Sequence, residues 1–156
     1  MTTDERILRL KTPESCEQFA INVEKRGKPE LALEARRRGV QLLASMHGAK
    51  TEAERDAWEV LYAYERVLST KRGRATRASR TRPMIARYGI IETVERIVTR
   101  RTESTGYAAL VEMGMEDMTA EAVVLRHPTA FSAKAIERSK ERLAMNASPG
   151  SLREQT

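Results

Sequence analysis

The sequence predicts an all-α protein: a helical hairpin plus an amphipathic helix, a basic linker, then a cluster of short helices. Three observations carry this expectation. Apolar residues recur three and four positions apart, the spacing of one helix face. No stretch alternates apolar and polar residues as a half-buried strand does. Aromatic residues make up only 4% of the chain, so Leu, Ala, Val, Ile and Met must build the core, a set that suits helices.

The elements follow in order. Thr12 and Pro13 read as an N-cap and a first helical position. The helix behind them carries Cys16, Phe19, Ala20 and Val23 on one side and stops at Gly27. Pro29 opens a second helix with Leu31, Ala32, Ala35, Gly39, Leu42, Leu43 and Met46 at helical spacing, ending near Gly48. Ala32, Ala35 and Gly39 are small enough for a neighbouring helix to come close. Joined through Arg26-Gly27-Lys28-Pro29, the two form a pair that resembles one tetratricopeptide hairpin. There is no second copy, so the expectation is an ordinary helical hairpin.

Thr51 and Glu54 have the spacing of a capping box. The helix they open places Ala57, Val60, Leu61, Tyr64, Val67 and Leu68 on one face, with Trp58 and Tyr62 at its border. Lys71 to Pro83 then has six cations, no acid and no large apolar residue. It offers no face to bury, which predicts a flexible linker or arm. Pro83 starts a short helix, Met84 to Tyr88, closed by Gly89. Ile90, Ile91, Val94, Ile97 and Val98 form the stripe of the next helix, to about Arg101. Short helices are expected over Tyr107–Met113, over Ala120–Arg126 with Thr119 as cap, and over Ala133–Met145 with Ser132 as cap. The implied organisation is an N-terminal helical subdomain (1–70), the basic linker or arm (71–82), a C-terminal helical subdomain (83–146) and a flexible polar tail (147–156).

Charge is the most uneven property of the chain. The net charge is +6, with a balance of zero over Met1–Thr70, +8 over the 31 residues Lys71–Arg101 and −2 over Thr102–Thr156. Such asymmetry points to an anionic partner. Arg supplies 21 of the 28 cations, although GC-rich coding favours Arg whatever the function.

Signatures of catalysis are missing. His47 and His127 are the only histidines, and each sits at the end of an expected helix, where a cation caps favourably. There is no HExxH, no phosphate-binding glycine loop and no nucleophile elbow. Glu112, Glu116, Asp117 and Glu121 span an expected turn and are the best metal candidates. Without a histidine among them, a solvated acidic loop accounts for them better. Cys16 stands alone, so neither an intramolecular disulfide nor a cysteine metal cluster is possible within the chain. The expectation is a non-enzymatic protein with no cofactor and no metal. The first residues, MTTDERILRLK, hold no apolar run of signal-peptide length, and no run approaches membrane-spanning length. The expected setting is the cytoplasm, without membrane contact.

The basic segment is where a partner is expected. Arg forks match phosphate oxygens, and an extended arm can follow a groove. Lys71-Arg72-Gly73-Arg74 resembles an AT-hook, which implies minor-groove binding, with Ala75 standing where that motif has proline. Pro83 to Arg101 resembles a helix-turn-helix pair with Gly89 in the turn, which implies a second helix facing DNA and presenting Arg96, Thr99, Arg100 and Arg101. Glu92, at the start of that exposed side, opposes simple docking on phosphate. Leu110, Val111, Met113, Gly114 and Met115 resemble the Met-Gly-aromatic loop of ubiquitin-associated domains, without the aromatic residue. Met113, Met115 and Met118 read as core filling.

Tyr88 is the sole aromatic residue of the basic region, too few for a single-strand stacking platform. The functional expectation is therefore a nucleic-acid-binding protein for duplex DNA or structured RNA. Arg72, Arg74, Arg77, Arg80, Arg82, Arg96, Arg100 and Arg101 are the expected phosphate contacts. The alternative is a helical protein-interaction module or small inhibitor whose arm meets an acidic protein partner.

Overall fold

The computed structural model describes the backbone of residues 4–100 and 105–154, and the side chains of 4–100 and 106–145. Among the described residues every regular element is helical. The chain divides into two compact units, Met1–Lys50 and Thr51–Thr156.

The first unit holds α1 (Glu5–Leu8), α2 (Pro13–Lys25) and α3 (Pro29–Ser45). α1, absent from the sequence reading, is a single turn capped by Asp4, whose carboxylate accepts the Arg6 N–H at 2.8 Å. Thr12 caps α2 as expected, accepting the Ser15 N–H at 3.1 Å while Ser15 Oγ accepts the Thr12 N–H at 3.3 Å. Gly27, at φ 74°, turns the chain into α3. Close packing of the hairpin rests on small residues. A Cβ added at Gly39 would lie 3.3 Å from the Cys16 Cβ. Ile7, Ala20, Val23, Ala32 and Ala35 form the buried cluster. Cys16 is enclosed in the hairpin, and burial pushes its thiol up from the ordinary range.

The second unit holds α4 (Glu52–Arg72), α5 (Thr81–Tyr88), α6 (Ile90–Thr99), α7 (Thr105–Glu112), α8 (Ala120–Arg126) and α9 (Ala133–Glu154). Short 3-10 turns precede α8 and α9. Thr51, Thr119 and Ser132 cap α4, α8 and α9 through their hydroxyls, as their spacing predicts. The core is the meeting of α4, α6, α8 and α9: Ala57 and Val60, Val94 and Val98, Val123 and Val124, and Ala135, with Trp58 packed against its edge. Met115 and Met118 are buried, as core filling requires, while Met113 is half-buried. A buried ion pair joins α8 to α9, Arg142 Nη1 to Glu121 Oε1 at 3.0 Å.

The connection between α4 and α5 departs from a free arm. α4 continues through Arg72 before Gly73, at φ 69°, ends it, and α5 begins at Thr81, ahead of Pro83. Ala78 is only 3% exposed. The segment has no large apolar residue to bury, and polar anchors hold it instead. Ser69 Oγ accepts the Thr76 N–H at 2.9 Å, and Glu65 accepts the Ala78 N–H at 2.8 Å. α9 runs past the expected stop at Met145, and the side chains of the expected tail lie outside the described residues.

Candidate nucleic-acid interface

The basic residues fall into three environments. Arg72, Arg74, Arg77 and Arg80 are exposed at the end of α4 and along the connection to α5. None of the four has a carboxylate partner among the described residues. Lys71, beside them, reaches Glu112 at 3.3 Å. Lys71 and Arg72 also complement the negative end of the α4 dipole, a structural benefit independent of any ligand.

Arg82 belongs to a second environment. Its Nε donates to Glu65 Oε2 at 2.6 Å and its Nη2 to Oε1 at 2.8 Å, a two-pronged pair on a residue that is 8% exposed. That hydrogen bonding raises the Arg82 guanidinium further above its ordinary range. Glu65 would otherwise be a buried, uncompensated charge on the inner side of α4. The Arg82 head is therefore occupied within the fold, with its guanidinium 5.9 Å from the Tyr62 ring.

Arg96 and Arg100 form the third. The Arg96 guanidinium lies 3.8 Å from the Tyr88 ring centroid and donates to Glu92 Oε1 at 3.2 Å. Arg87, which the sequence reading passed over, approaches the same ring at 5.3 Å. Arg100 is exposed, its Nη2 3.2 Å from Met84 Sδ, and its carbonyl accepts a hydrogen bond from Arg142. Arg101 lies outside the described residues.

α5 and α6 meet at the single residue Gly89, φ 85°. α6 is mainly a core helix: Ile90, Thr93, Val94 and Val98 are buried. Glu95 is taken by the start of α9, where it accepts the Ser132 N–H and hydroxyl, each at 2.8 Å. The outward side of α6 presents Glu92 and Arg96, already paired with each other. That leaves little of the basic face that a recognition helix needs.

The acidic residues singled out in sequence do not converge. Glu121 is buried against Arg142, Glu112 meets Lys71, and no group of three or more His, Cys, Asp or Glu side chains suited to a metal occurs among the described residues. His127 Nε2 lies 2.7 Å from Asp56 Oδ2, linking the C-terminal end of α8 to α4. His47 is exposed just beyond α3.

Sequence reasoning missed Glu65 as the anchor of the basic connection. A signal existed: Glu65 lies four residues after Leu61, on the apolar side of α4. Comparison of the chain with protein-family models, curated proteins and solved structures gives no match.

Proposed function

We propose that the chain is a non-enzymatic nucleic-acid-binding protein that holds the phosphate backbone of duplex DNA or structured RNA through Arg72, Arg74, Arg77 and Arg80. One observation carries this reading: four exposed arginines lie within residues 72–80 without a carboxylate partner among the described residues. Arg forks are well matched to phosphate oxygens, and cations not already neutralised release the counterions that drive such binding. The anchors at Glu65 and Ser69 add to the case. A segment already ordered by its own fold loses less conformational freedom on binding than a free arm. Arg96 and Arg100 are secondary contacts. Arg82, held by Glu65, is a positioning residue in this reading.

The test is fluorescence anisotropy with labelled duplex DNA and duplex RNA, titrated over a range of salt. Four phosphate contacts give a log–log salt slope of about −3.6 on duplex DNA. Failure to bind either duplex more tightly than about 100 μM at near-physiological salt, the weak limit of ordinary non-specific affinity, would remove the reading in favour of an acidic protein partner.

A further inference from the structure

The second unit has a partly open cavity of about 290 Å³ between α4, the start of α5, α6, α7 and α8. Its walls are mainly apolar, from Val60, Leu61, Ile90, Val94, Ile97 and Leu110, with Tyr64, Thr81, Thr93 and Tyr107 adding polar groups. Of the described lining residues only two are exposed, Arg80 and Arg100, and so they mark its mouth. Neither has a carboxylate partner among the described residues. The one acidic side chain of the described lining, Glu121, meets Arg142 at 3.0 Å. The described lining therefore presents two uncompensated positive charges above an apolar chamber. A dry apolar cavity of about 150 Å³ is enough to hold benzene. This one is close to the lower end of ordinary ligand pockets, at roughly 300 Å³.

We infer that this cavity is a binding site for a small amphipathic anion, with an apolar body of roughly ten carbon atoms inside and a carboxylate or phosphate head between Arg80 and Arg100. Most of the wall suits an apolar body, and the charged groups at the mouth suit an anionic head. A neutral head would leave both guanidinium groups without a charged partner, whereas an anionic head gains charge-assisted hydrogen bonds from two planar forks. The chamber itself needs no polymer, while its mouth shares Arg80 and Arg100 with the nucleic-acid reading; binding of the anion in the absence of nucleic acid tells the two apart.

The test is isothermal titration calorimetry of the full chain, without nucleic acid, against decanoate, decyl phosphate and 1-decanol. One-to-one binding of decanoate or decyl phosphate is expected, with Kd on the order of 10–100 μM. The tighter of the two identifies the head group. Decanol should bind about 10- to 100-fold more weakly. Arg80→Gln with Arg100→Gln, both at exposed positions, should abolish that preference while circular dichroism stays unchanged. In amide NMR spectra the bound anion should shift Thr93, Gly106 and Leu110, which line the chamber. Absence of saturable binding by both anions, equal binding of decanol, an unaltered preference in the double variant, or shifts confined to residues away from the cavity would each overturn the inference. Duplex binding measured on the same preparation reports separately on the nucleic-acid reading.

Discussion

Glu65 and Arg82 lie 17 residues apart in sequence and form a two-pronged pair, with contacts of 2.6 and 2.8 Å. The same carboxylate accepts the Ala78 N–H, so one side chain of α4 fixes both the connection and the start of α5. Replacing Glu65 with Ala is expected to destabilise the second unit by about 2 to 4 kcal/mol, because Arg82 and the Ala78 N–H lose their partner together. Urea unfolding gives the loss. Limited trypsin digestion gives its location: cleavage after Arg77 and Arg80 should accelerate in the variant, whereas Pro83 protects the bond after Arg82. Equal cleavage rates in both proteins would mean that Glu65 does not hold the connection.

Two sets of arginine variants should separate binding from folding. Arg72, Arg74, Arg77 and Arg80 changed together to Ala should flatten the salt slope of duplex binding by about 3.6 units, with thermal stability nearly unchanged. Arg82→Ala should lower stability, since it strands the Glu65 carboxylate, and should leave the slope of the folded fraction close to that of the parent. A slope that responds to Arg82 as strongly as to Arg74 would count against its role as a positioning residue.

Glu59 should make stability depend on pH. Burial first, then the nearby Asp56 charge, push its carboxyl up to about 7 from an ordinary 4.5; Asp117 raises it further, while Arg126 and Arg55 oppose the shift. Between those two values the folded chain holds a proton that the unfolded chain has released, so stability falls as pH rises. The contribution is complete below pH 4.5 and is lost as pH passes through about 7. Allowing for solvent screening, it amounts to about 1 to 2 kcal/mol. Glu59→Gln should remove that part of the slope and stabilise the protein at pH 8. Denaturant unfolding of both proteins at pH 5 and pH 8 would show it, and identical pH dependence would exclude Glu59 as the source.

Gly106 should tolerate no side chain. A Cβ there would lie 2.9 Å from the Tyr64 ring, so either the ring or α7 must shift. Gly106→Ala is expected to cost about 1 to 3 kcal/mol, measured as a fall in the denaturation midpoint. Combining it with Tyr64→Leu should recover part of the loss. If the single variant is as stable as the parent, the contact between α4 and α7 is looser than the structure has it.

Much of the fold was legible in sequence because its determinants are local. Thr12, Thr51, Thr119 and Ser132 cap helices through the residue three positions on, and Gly27 ends α2 by adopting a backbone conformation that other residues resist. Helix spacing likewise marked Val60, Val94 and Val98 as inward-facing. The concentration of cations in Lys71–Arg101 was visible for the same reason. What only the tertiary structure decided is which of those cations are already occupied. The pairings of Arg82 with Glu65 and of Arg96 with the Tyr88 ring are set by how α4, α5 and α6 pack, as the Arg142–Glu121 pair outside that segment is by α8 and α9. Composition reports how many charges a segment carries. Whether a guanidinium is neutralised within the fold or left facing solvent depends on a few ångströms between residues far apart in the chain, and the cavity below Arg80 and Arg100 arises from the same long-range packing.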